Sequence, residues 1–169
     1  MFLPHPLLCH RSLRSIVYVD RCIYADESVA RVQFAYNEGH QIGSHTWAHK
    51  NLSTLSYDEV NSEMAMTEEA IQRLTGAQVA FTRPPYGAYN DNVAQVAAQR
   101  NQQLVIWSFD SGDSTGSTAE QSNAAYDALA AAHPSSVLAL NHEVYSTFSS
   151  IYRPAPNRLI HVVYRNDRL

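Results

Sequence analysis

The chain has 169 residues, 45% of them hydrophobic and 17% charged, which describes one folded domain with a real core rather than a disordered segment. Its 12 basic residues against 16 acidic ones give a formal charge of −4, so no basic surplus points to nucleic acid. No apolar run approaches the roughly 18 residues needed to cross a bilayer.

Residues 1–22 show no clear period. The opening Met1-Phe2-Leu3-Pro4-His5-Pro6-Leu7-Leu8 makes a poor secretion signal, having no basic residue ahead of its short apolar stretch. Cys9 and Cys22 form one disulfide or none, a choice the sequence leaves open. From Asp26 the pattern sharpens. Asp26 is placed to cap a helix carrying Val29, Val32 and Tyr36, with Gly39 as its end. A short strand, Gln41-Ile42-Gly43, follows. Ser56 and Glu59 make a capping-box signature for a helix with Val60, Met64, Ile71 and Leu74 on one face and Gly76 as its stop. Val79-Ala80-Phe81 reads as a strand. Asn90 or Asp91 opens a helix bearing Val93, Val96 and Ala97. Leu104-Val105-Ile106-Trp107 reads as one continuous buried strand. Thr118 to Ala132 is helical until His133-Pro134 breaks it, and Val137-Leu138-Ala139-Leu140 is a further strand. Beyond Tyr145 the rhythm fails, and Ile160-His161-Val162-Val163-Tyr164 is at best a lone strand. Helices alternating with apolar strands argue for a parallel sheet or barrel.

Four clusters with chemical potential each follow an expected strand, where sites of parallel α/β folds are built. In Ser44-His45-Thr46-Trp47-Ala48-His49 the histidines are four apart, a spacing that lets two imidazoles share a metal. Phe81-Thr82-Arg83-Pro84-Pro85-Tyr86-Gly87 is stiffened by prolines and can aim Arg83 and a backbone N–H at a reacting oxygen. Trp107-Ser108-Phe109-Asp110-Ser111-Gly112-Asp113 sends two carboxylates out of a strand, either of which can orient a histidine. Leu138-Ala139-Leu140-Asn141-His142-Glu143 ends a strand on a histidine suited to acid catalysis. Taken singly, each has a plainer reading: surface histidines, a turn with an exposed arginine, Asp–Gly turn chemistry, a satisfied strand-end histidine.

Together, in the order S-H-T-x-x-H, R-P-P-Y-G, W-x-x-D-x-x-D and L-x-L-x-H, the clusters resemble the polysaccharide deacetylases with a NodB-homology domain, and most of all fungal chitin deacetylases. The resemblance covers about Cys22 to Tyr145. It implies an α/β fold, here an incomplete distorted (β/α) barrel. It divides the chain into an irregular N-terminus at 1–22, a partial deacetylase domain at 23–145 and a divergent tail at 146–169. It implies metal-dependent hydrolysis of N-acetyl groups on chitin or chitooligosaccharides. His45 and His49 would hold a divalent metal, zinc or cobalt. Arg83 would orient the catalytic aspartate, and Asp113 would orient His142, the acid that protonates the leaving amine. The Tyr86 backbone N–H would serve the oxyanion, and Leu140 would line the acetyl-methyl pocket. Trp47, Tyr86 and Tyr145 are candidates to stack on sugar faces or to pack in the interior. A secreted or cell-wall setting and a monomeric state are further expectations, and Asn51-Leu52-Ser53 is a glycosylation sequon.

The family's T-[FY]-D-D-G-P motif, source of the catalytic base and a third metal ligand, is absent. Tyr18-Val19-Asp20 echoes it superficially, with Asp20 closer to His45 than the family's first strand lies. The expectation is a truncated or mis-spliced reading of a longer protein, missing its first strand. The alternative function is a catalytically inactive member that only binds metal or glycan.

Overall fold

The computed structural model describes residues 16–142 and 161–165. Among them, seven short strands form one all-parallel sheet in the order β4-β3-β2-β1-β7-β6-β5. In chain order these are β1 (Ile16–Val19), β2 (Gln41–Ser44), β3 (Phe81–Thr82), β4 (Gln103–Leu104), β5 (Phe109–Asp110), β6 (Leu138–Leu140) and β7 (His161–Arg165). Four helices connect them: α1 (Asp26–Asn37), α2 (Tyr57–Thr75), α3 (Asp91–Gln99) and α4 (Ala119–Ala132).

The sheet cannot be flat. Seven strands spaced by about 4.8 Å would put its outer members about 29 Å apart. Yet β4 and β5, the outer members, are joined only by residues 105–108, a span of at most about 18 Å. The sheet therefore curls toward closure with a seam between β4 and β5, an incomplete distorted (β/α) barrel. This explains a departure from the sequence reading. The run Leu104–Trp107 is not one strand: β4 ends at Leu104, and residues 105–107 carry the chain half-buried across the seam. Val105 N–H still bonds Thr82 O on one side, and Ser108 N–H bonds Leu138 O on the other.

Two strands fall in segments that read as irregular or divergent. Ile16–Val19 lies within 1–22, and His161–Arg165 lies within 146–169. β1 pairs with β2 from Ile16↔Gln41 to Val19↔Ser44, while β7 runs between β1 and β6. A segment from the far end of the chain thus pairs with both β1 and β6. Cys9 and Tyr145 lie outside the described residues, as does the side chain of Cys22.

Local chemistry accounts for the helix ends. Ser56 Oγ accepts from Glu59 N–H while Glu59 Oε2 accepts from Ser56 N–H, and Gly76 closes α2 at φ 72°. Asn90 caps α3 through Val93 N–H. Thr118 and Gln121 form a second capping box on α4. α1 differs from expectation: its N-cap is Ala25, without a side-chain cap, and Asp26 is the first helical residue. α2 and α3 pack through Leu52, Val60, Met64, Val93 and Val96, all fully buried. Each such side chain contributes about 1.5–3 kcal/mol. A second cluster, Val19, Ile23, Val32, Ile42 and Ile71, seats α1 and α2 on β1 and β2. No helix of the described residues is long and apolar enough to cross a membrane.

Candidate active site

Parallel strands all deliver their carboxyl ends to one rim. Here β1 delivers Asp20, β2 delivers His45, β3 delivers Arg83, β5 delivers Ser111 and β6 delivers Asn141-His142. The ladder continues one step past the strands, with His45 N–H on Val19 O at 2.8 Å and Arg83 N–H on Ser44 O at 2.9 Å. Rim geometry is therefore set by the sheet itself.

His45 is buried, and its Nδ1 lies 2.7 Å from Arg83 O. A carbonyl only accepts, so Nδ1 carries the proton and Nε2 carries the lone pair. That is the arrangement a metal-ligating histidine takes. The His49 ring meets both the His45 ring and the Tyr86 ring edge-on, each at 4.8 Å between centroids. The loop that achieves this is strained: Thr46 and His49 hold φ of 67° and 52°. Such conformations cost about 1–3 kcal/mol each and cluster at functional sites. Tyr86 is strained too, at φ 60° between Pro85 and Gly87, and its side chain is 69% exposed. Two imidazoles so placed suit a borderline-soft cation such as zinc. They supply two ligands only: among the described residues no three His, Cys, Asp or Glu side chains cluster for a metal, Asp20 included.

Arg83 is buried at 1% exposure, and none of its guanidinium nitrogens has a hydrogen-bond partner among the described residues. Its charge lies over the Tyr18 ring at 4.7 Å and the Trp107 ring at 5.4 Å. Desolvation lowers its pKa to about 10, opposed by the nearby Tyr18 and Asp110. Burial in turn raises the Tyr18 phenol well above its ordinary value.

Asp113 and His142 form the second half of the rim. His142 Nδ1 donates to Asp113 Oδ1 at 2.8 Å, and His142 N–H donates to Asp113 Oδ2 at 2.6 Å, with both residues buried. Asp113 reaches this position because Gly112, at φ 73°, turns the chain after β5. Next to His142, Asn141 accepts from the Tyr126 hydroxyl at 2.8 Å, tying the end of β6 to α4. Leu140 is buried on β6. Trp47 is half-buried against the Val19–Ile23 cluster, a packing position rather than an open platform.

Two residues at the rim carry no sequence motif. Tyr18 is the face on which Arg83 rests. Glu63 is a carboxylate on the buried face of α2, beside Val60 and Met64, and it accepts from Ala48 N–H at 2.6 Å. A charged residue inside an apolar helical stripe was the available signal for Glu63. A concavity lined by Ile16, Tyr36, His40, Gln41 and Ala80 lies at the amino ends of β1–β3, away from this rim.

The Polysaccharide deacetylase family profile matches residues 6–105. A peptidoglycan-N-acetylglucosamine deacetylase of Bacillus cereus is 42% identical over 84 residues, covering 50% of this chain and 30% of its own. A chitin deacetylase of Amylomyces rouxii is 36% identical over 121 residues, 66% of this chain and 29% of its own. The chain thus spans less than a third of these relatives. In structure, a chitin deacetylase of Colletotrichum lindemuthianum matches with a TM-score of 0.71 at 22% identity, covering 82% of this chain and 68% of that one. A CE4 family pseudoenzyme from Bacillus anthracis matches at 0.70 and 16% identity, covering 89% and 54%. The barrel is the one these carbohydrate esterases share, and the chain belongs to the polysaccharide deacetylase family.

Proposed function

We propose that this rim serves the hydrolytic removal of N-acetyl groups from chitin-like N-acetylglucosamine polymers, with a divalent metal held by His45 and His49. The observation that carries the reading is the buried Asp113–His142 pair, at the same end of the sheet as the two facing histidines. The relatives' names support the substrate class, since peptidoglycan-N-acetylglucosamine and chitin both present an N-acetylated sugar. The deacetylase unit is taken as residues 23–145, with β1 and β7 completing its sheet, in a monomer acting on polymer outside the cell.

A bound metal supplies polarisation of the acetyl carbonyl and activation of water. The chain's own groups do the rest. Asp113 fixes His142 at Nδ1 and stabilises the imidazolium, which delivers its Nε2 proton to the sugar nitrogen as the C–N bond breaks. The Tyr86 backbone N–H, presented by its strained turn, donates to the developing oxyanion. Leu140 walls the acetyl methyl, and the exposed Tyr86 ring offers a sugar-stacking face. Tyr145 is the other aromatic candidate for that role, Trp47 being packed against the core, and Arg83 is the residue suited to orient a catalytic carboxylate.

The rate should be low. General-base catalysis contributes typically 10²–10⁴-fold, and among the described residues no carboxylate joins the two histidines in a metal-holding cluster. A second reading, a family member that binds metal or glycan without turnover, is favoured by the Arg83 guanidinium, which has no hydrogen-bond acceptor among the described residues. Acetate release from an N-acetylglucosamine oligomer, with added zinc or cobalt, separates the two. Slow release that a chelator abolishes supports hydrolysis. Oligomer binding without any release supports the second reading.

A further inference from the structure

We infer that Glu63 is a positioning residue that holds the His45–His49 loop in its metal-binding shape. This rests on the proposed role of the two histidines and goes beyond it, since Glu63 belongs to α2 and to none of the four motifs.

The loop Thr46–His49 leaves β2 with two non-glycine residues in the left-handed region. Thr46 is β-branched, which makes its conformation a genuine outlier. Strain of about 1–3 kcal/mol per residue persists only where the surroundings over-determine the backbone. Three contacts from three elements do so here. Thr46 N–H donates to Ser44 Oγ at 3.2 Å, from the end of β2. Arg21 N–H, just past β1, donates to Trp47 O at 3.1 Å. Ala48 N–H donates to Glu63 Oε2 at 2.6 Å, from α2. The last is the only one of the three made to an acidic side chain, and such bonds are roughly twice as strong as neutral ones. It is also the one adjacent to His49. The other carboxylate oxygen of Glu63 lies 3.4 Å from Lys50 Nζ on the far side of His49. Glu63 therefore brackets the strained histidine from both sequence neighbours.

The fold alone does not need this carboxylate. Glu63 is 3% exposed on the stripe of α2 that also buries Val60, Met64, Thr67, Ala70 and Ile71. Burying a carboxylate there carries a desolvation cost, and an apolar side chain of similar volume often serves stability as well or better. What an apolar replacement cannot do is accept from Ala48 N–H. Loss of that bond removes one of the constraints that hold His49 at φ 52° and its ring against the His45 ring. Groups that orient metal ligands typically affect metal affinity 10–100-fold.

The test compares wild type, Glu63→Met and Glu63→Gln in the 169-residue chain. Methionine matches the stripe and favours helix, so the variant keeps its fold, checked by urea unfolding. Glutamine keeps an acceptor for Ala48 N–H. The first readout is the nuclear Overhauser contact between the His45 and His49 rings in metal-free protein. The second is Co²⁺ affinity by titration of its visible absorption. The expected result is that E63M stays folded, loses the ring contact and binds Co²⁺ about 10–100-fold more weakly, while E63Q retains the contact. Retention of the ring contact in folded E63M overturns the inference, whatever the metal titration reads. If wild type binds no Co²⁺ while E63M alone loses the contact, the positioning role stands and the metal reading fails instead.

Discussion

The Asp113 carboxylate holds His142 at two points, the ring Nδ1 at 2.8 Å and the backbone N–H at 2.6 Å. One aspartate thus fixes both the tautomer of the imidazole and the path of the strand that carries it. Asp113→Asn should keep one contact but present an N–H₂ group to Nδ1, so His142 should switch to the Nε2–H tautomer. Imidazole ¹⁵N shifts check this, and acetate release should fall about 10²–10⁴-fold with the relay broken. Asp113→Ala should also cost about 1.5–3 kcal/mol of stability, because it orphans a buried N–H.

Arg83→Met should stabilise the chain by about 1–3 kcal/mol at pH 7, since it removes a cation whose desolvation outweighs its attraction to Tyr18 and Asp110. The sign follows from its pKa, which burial lowers from the ordinary guanidinium value to about 10. The unfolded chain binds the proton more tightly, so the charged arginine opposes folding below pH 10, and that cost fades as pH rises above it. Urea unfolding at pH 7 and at alkaline pH should show the variant's advantage shrinking. A large loss of stability at pH 7 would mean that the Tyr18 and Trp107 faces more than offset the burial.

Gly43→Ala should disturb the same assembly from beneath. A Cβ at Gly43 would sit 2.7 Å from the Tyr18 ring and 3.1 Å from Phe81 O. The Tyr18 ring is buried and has Arg83 packed over it, so it has little room to shift. The expected cost is about 1–3 kcal/mol, the usual range for overpacking. A thermal melt measures it, with little change expected in the Asp113–His142 tautomer.

Much of this was legible before the structure. The capping box at Ser56–Glu59 and the stop at Gly76 are local chemistry, and they delimit α2 as read. The parallel α/β architecture followed from alternating elements. What escaped was non-local. Ile16–Val19 is a strand only because residues 41–44 and 161–165 flank it, partners about 25 and 145 residues away. The run Leu104–Trp107 was read as one strand because an apolar string carries no mark of the seam that sheet closure places across it. Tyr18 and Glu63 were missed for a similar reason. Each acts on a loop distant in sequence, and neither sits in a motif.

In the proposed chemistry, His142 delivers a proton to an amide nitrogen beside a metal held by His45 and His49. The direct measurement is acetate release from an N-acetylglucosamine oligomer with saturating Co²⁺, comparing wild type, His142→Gln and the His45→Ala/His49→Ala double variant. Slow release is expected from wild type, at least about 10²-fold less from H142Q, and none from the double variant or after chelation. Release that is equal in wild type and H142Q, or that survives loss of both histidines, would contradict it.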